Sequence, residues 1–94
     1  MEGVFRKSGR VLSRVIAGET LLVPLGGSVA DMQRLFSLNP VGAFVWDRID
    51  GQASVRQIAE SVLEEFDVSA EQARIDTTEF VSELLSAALI EEVK

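Results

Sequence analysis

The chain has 94 residues, 47% of them apolar, with nine Lys/Arg against fifteen Asp/Glu and a net charge of −6. It contains no cysteine and no histidine, which excludes disulfides, a thiolate nucleophile, the commonest general base and the commonest zinc ligand. No EF-hand-like spacing of carboxylates offers an all-oxygen cation site either, so no metal and no cofactor is expected.

A chain of this length makes one domain over residues 1–94, burying roughly 60–65% of its unfolded surface. Residues 1–10 show no period and read as a flexible lead-in. Arg6, Lys7, Arg10 and Arg14 interrupt every apolar run near the N-terminus. The run Leu21-Leu22-Val23-Pro24-Leu25 is too short for a signal core or a membrane span. The expectation is a soluble, cytoplasmic protein that engages no membrane.

Val11-Leu12-Ser13-Arg14-Val15-Ile16 reads as a strand rich in β-branched residues. Ala17-Gly18 supplies a tight turn, and Thr20-Leu21-Leu22-Val23 returns as the second strand. Pro24 cannot donate to a ladder and belongs at a strand end or edge. After the break at Gly26-Gly27-Ser28, residues 31–38 form the third extended segment. Gly26-Gly27 lacks the rest of a phosphate-loop motif and reads as a turn.

Asn39-Pro40 then changes the period. Asn39 is a good N-cap, and Pro40 suits the first helical position because its missing N–H costs nothing there. The first helix runs from Pro40 to about Ile49, with Val41, Phe44, Val45 and Ile49 on one stripe. Trp46 widens that face and reads as a packing residue, and Asp50-Gly51 ends the helix. Ser54-x-x-Gln57 forms a capping box for the second helix, whose stripe is Val55, Ile58, Ala59, Val62, Leu63 and Phe66. Ser69-x-x-Gln72 repeats the pattern for the third helix, with the stripe Ala73, Thr77, Phe80, Val81, Leu84, Leu85 and Ala88. Residues 90–93 form a short final extended segment.

Three antiparallel strands followed by three helices define an α+β fold of winged helix-turn-helix type. That architecture suggests DNA binding, but the charges oppose it. Residues 1–53 carry six Lys/Arg and five Asp/Glu, whereas residues 54–94 carry three and ten. A DNA-reading helix presents Arg, Lys, Asn or Gln to the major groove. The third helix instead offers Glu71, Asp76, Glu79 and Glu83 against the single Arg74. Nucleic acid is therefore not expected as a partner, and basic groups are. Catalysis has little support, because no histidine activates the hydroxyls and no lysine sits in a recognisable catalytic spacing.

Several segments together resemble the PqqD family, also called the RiPP recognition element. They are Leu38-Asn39-Pro40 leading into Gly42-Ala43-Phe44-Val45-Trp46, then Asp50-Gly51, Ser54-Val55-Arg56-Gln57-Ile58-Ala59 and Glu65-Phe66-Asp67-Val68. The pattern continues through Asp76 to Phe80, Leu84-Leu85 and Leu89-Ile90, so the resemblance covers roughly residues 11–93. It implies a non-catalytic protein that binds the leader of a ribosomally made precursor peptide and presents it to a modifying enzyme, a radical S-adenosylmethionine protein. In that family the leader adds as a strand to the third strand, in the groove facing the third helix.

Residues 31–38 supply Met32, Gln33, Arg34, Leu35, Phe36 and Ser37 as candidate peptide-binding residues. Period-two alternation groups Met32, Arg34 and Phe36 with Leu38, apart from Gln33, Leu35 and Ser37. The first set is inferred to face the cleft, and a bulge would exchange the two. Asp76, Thr77, Phe80, Glu83 and Leu84 are the candidates for the opposite wall. Each has a plainer reading: Phe36 and Phe80 as core, Asp76 as a carboxylate favoured by the helix dipole, and Glu79 with Glu83 as a solvated face. The alternative function is a protein–protein interaction or regulatory module without a peptide substrate, docking through the same edge or forming a homodimer through its N-terminal strands.

Overall fold

The computed structural model describes residues 3–25 and 36–93. Its elements are β1 (Phe5–Lys7), β2 (Val11–Ile16), β3 (Glu19–Pro24), β4 (Phe36–Leu38), α1 (Pro40–Arg48), α2 (Val55–Glu65), α3 (Ala70–Ser86) and β5 (Ile90–Glu92). Strands β2, β3 and β4 form an antiparallel sheet in that order, ahead of the three helices. This is the expected α+β arrangement.

The β2–β3 hairpin turns on Ala17 (φ +55°) and Gly18 (φ +80°), two consecutive left-handed residues. A two-residue turn of this hand matches the natural twist of the strands it joins. Pairing runs from Ile16 opposite Glu19 to Val11 opposite Pro24, so Pro24 closes the strand. On the other side of β3, Thr20, Leu21 and Leu22 pair with Leu38, Ser37 and Phe36. Only residues 36–38 of the expected third strand lie within the described part of the chain. Residues 31–35 lie outside it.

One expectation is overturned at the N-terminus. Residues 5–7, read as part of a flexible lead-in, form β1 and pair antiparallel with β5. Phe5 is buried, and its ring gives this segment a reason to dock. Arg6 Nε donates to Glu91 Oε1 at 2.9 Å across the pair. Gly51 N donates to Phe5 O at 2.9 Å, Val55 N to Gly3 O at 2.9 Å and Val93 N to Val4 O at 2.8 Å. The segment is thus stitched both to the α1–α2 connection and to the C-terminus.

The helix starts follow the sequence signals. Asn39 accepts from Gly42 N at 2.7 Å, and Pro40 opens α1. Ser54 and Gln57 complete the reciprocal box, with Gln57 N to Ser54 Oγ at 3.1 Å and Ser54 N to Gln57 Oε1 at 2.8 Å. Between these helices, the N–H groups of Ala53 and Gln52 donate to Asp50 Oδ1 and hold its carboxyl below the usual carboxylate range. That support exists at neutral pH and is lost as pH falls through the lowered pKa. Helix α3 ends with Leu89 N donating to Leu84 O and Ala88 N to Leu85 O, both at 3.0 Å. Ala88 is left-handed at φ +60°. This double bond reverses the chain and delivers buried Leu89 and Ile90 to the core.

The core joins all the layers. Leu22 and Leu38 come from the sheet, Val45, Trp46 and Ile49 from the end of β4 through α1, Val55, Ile58 and Val62 from α2, and Ala73, Val81 and Leu84 from α3. Phe44 meets Phe66 edge-to-face with centroids 5.5 Å apart, and Arg48 lies over Phe44 at 4.5 Å. Among the described residues, no helix is long and apolar enough to cross a membrane.

Candidate functional site

Strand β4 is the last strand of its sheet among the described residues. Beside it opens a groove of about 440 Å³ whose other wall is α3. Three elements build it: Phe36, Ser37 and Leu38 from β4; Asn39, Val41, Gly42 and Val45 from the junction and α1; Asp76, Glu79, Phe80 and Glu83 from α3. The α3 residues recur at intervals of three and four, so they lie along one helical face. The lining has an apolar floor, three carboxylates along one wall and no Lys or Arg.

The junction at Asn39-Pro40 shapes this groove. The side chain of Asn39 is committed to the Gly42 N–H, which fixes where β4 ends and α1 begins. A Cβ on Gly42 would come within 3.2 Å of Asn39 Oδ1 and 3.6 Å of a Phe80 ring carbon. Glycine here therefore lets the first turn of α1 approach both the cap and the aromatic wall.

Period-two geometry sorts β4. Phe36 stands opposite Leu22, which is fully buried, and shares its face with buried Leu38. The Ser37 hydroxyl donates to Glu19 Oε1 on the hairpin, so this side chain leans away from the helices even though Ser37 contributes to the groove rim. On α3, Asp76 Oδ1 accepts from Gln72 Nε2 at 2.7 Å. Gln72 therefore does not complete the second capping box; Ser69 accepts from Gln72 N at 3.0 Å, and the amide side chain turns along the helix instead.

Of the residues singled out in the sequence, Phe36, Ser37, Asp76, Phe80 and Glu83 come together in this groove. Thr77 and Leu84 do not line it. Both are fully buried, one helical position to either side of the groove face. Met32, Gln33, Arg34 and Leu35 lie outside the described residues. Val41, Gly42, Val45 and Glu79 line the groove without having been singled out as peptide contacts. Glu79 was legible from the Asp76–Glu79–Glu83 spacing, whereas the α1 residues carry only a core-like apolar signal.

Thr77 Oγ1 is buried without a hydrogen-bond partner. An unpaired buried hydroxyl is a net loss that an isosteric methyl removes. Thr77→Val is expected to raise stability by about 1 kcal/mol, read as a higher urea midpoint at unchanged slope. A fall in the midpoint would mean that the hydroxyl has a partner in solution.

The sequence model of the family described as coenzyme PQQ synthesis protein D (PqqD) matches residues 19–90. Two solved structures share the fold. TbiB1 in complex with the TbiA(beta) leader peptide superposes with a TM-score of 0.75 at 22% identity, over 95% of this chain and 98% of that one. Lasso peptide synthetase B1 complexed with the leader peptide superposes with a TM-score of 0.74 at 17% identity, over 93% and 96%. At these identities the likeness establishes the fold. No curated protein sequence matches.

Proposed function

The chain belongs to the PqqD family, and from that membership we propose that it binds the leader of a ribosomally made precursor peptide as a strand added to β4. It then presents the peptide to a separate modifying enzyme and has no catalytic role of its own. The family resemblance makes that enzyme a radical S-adenosylmethionine protein, acting in the cytoplasm where precursors are synthesised.

The observation that carries this reading is the position of the open β4 edge beside the groove. A bare edge strand invites pairing and is a hazard unless something uses it. Strand addition uses it directly: backbone hydrogen bonds fix the register, and alternate guest side chains enter the groove. Here those side chains would meet Phe36, Val41, Val45 and Phe80 below and Asp76, Glu79 and Glu83 alongside. The complementary leader segment pairs an apolar residue with a nearby Lys or Arg. The leader complexes of the two structural relatives support the same mode.

The direct test is a backbone amide NMR titration with the leader of the precursor encoded beside this chain. Signals of residues 36–38 and 76–83 are expected to shift together and to saturate. Shifts confined to α2 would sink the groove reading. Self-association without peptide, through the exposed β2 side chains Leu12, Val15 and Ile16, together with an unresponsive groove, would favour an interaction module.

A further inference from the structure

Helix α3 lines a second groove on its opposite side. Arg74 and Asp76, like Thr78 and Phe80, are two residues apart and so about 200° apart around the helix. Asp76 and Phe80 face the β4 groove, whereas Arg74 and Thr78 face α2. The α2-side groove has a volume of about 390 Å³ and shares no lining residue with the first.

Its walls are two rows at four-residue spacing. Val55, Ala59 and Leu63 run along α2, and Ala70 and Arg74 run along α3. The small side chains of Ala59 and Ala70 keep the helices' outer surfaces from closing over the gap. Leu63 is left 41% exposed in it. The charge is the opposite of its surroundings. Residues 54–94 hold ten carboxylates and three cations. Two of those cations, Arg56 and Arg74, line this groove against one carboxylate, Glu60.

We propose that the α2–α3 groove docks an acidic amphipathic helix of a partner protein, with an apolar anchor seated on Leu63 and Ala59 and carboxylates meeting Arg56 and Arg74. An apolar strip flanked by guanidinium groups fits helix-in-groove recognition. Arginine pairs with carboxylates through two parallel N–H donors, which gives such a surface its selectivity. This site does not depend on the leader reading, because leader and helix would occupy opposite faces of α3.

Two synthetic amphipathic helices test it, one with a leucine stripe flanked by glutamates and a twin with lysines in their place. At low salt the acidic peptide is expected to bind about tenfold more tightly than its twin, with a preference that salt weakens. Amides of residues 55–63 and 70–74 are expected to shift, and those of residues 36–38 to stay still. Arg74→Glu is expected to abolish or invert the preference, and Leu63→Ser to weaken both peptides. Arg74 and Leu63 are exposed, and a thermal melt of each variant confirms the fold. Equal binding of the two peptides, absence of saturation, or shifts centred on β4 would overturn the proposal. So would sedimentation showing that the protein alone forms a dimer that Arg74→Glu dissociates, since the occupant would then be a second copy.

Discussion

Trp46→Ala is expected to cost about 3–5 kcal/mol, a large part of the total stability of a domain this small. Trp46 is 3% exposed, within the core that joins the sheet to all three helices. It also carries the Lys7 ammonium of β1 over its ring at 4.9 Å. Truncation would leave a cavity the size of an indole and remove the aromatic surface against which β1 lies. Urea unfolding followed by far-ultraviolet circular dichroism measures this, since the variant loses its fluorophore. Trp46→Phe keeps most of the apolar volume and is expected to lose about half as much. Lys7→Ala isolates the cation–π contact, worth about 0.5–1 kcal/mol at an exposed site. A loss below about 1 kcal/mol for Trp46→Ala would mean that the ring packs elsewhere.

The contrast between what could be read in advance and what could not follows from the range of each interaction. Helix starts are local: Asn39-Pro40 and the Ser54–Gln57 box contain the donor and acceptor that make them, within three residues. The Ala17-Gly18 turn is local too. Strand β1 is not. It is three residues long, too short to show a period, and Arg6 finds its partner Glu91 85 residues away. The end of α3 was hidden for another reason. Its left-handed residue is Ala88, where glycine would have signalled the stop. In the groove, the stripe that marks α3 as amphipathic contains both the inward residues Thr77 and Leu84 and the groove-facing Phe80. Apolarity alone does not separate a side chain covered by the core from one beside an open strand edge. The carboxylates Asp76, Glu79 and Glu83 do separate them, because an acidic row cannot sit against the core without partners.

Strand addition makes a prediction that no side-chain recognition model shares. In an added strand, successive backbone N–H groups point alternately toward β4 and toward solvent. Methylating one peptide nitrogen at a time along the bound leader should therefore give an alternating result. At every second position the methyl removes a donor and pushes against the β4 backbone, with an expected loss of about tenfold to a hundredfold in affinity. At the positions between, the methyl points outward and the expected change is within about threefold, apart from the general stiffening it causes. Phe80→Ala gives the complementary measurement. It lowers the affinity of every peptide in the series by removing an apolar wall of the groove, and it leaves the alternation intact because the backbone ladder is untouched. A helical guest would answer with a spread of effects following a period near four. A guest held by side chains alone would tolerate methylation throughout. An alternating loss centred on residues 36–38 is the outcome that only the β4 edge produces.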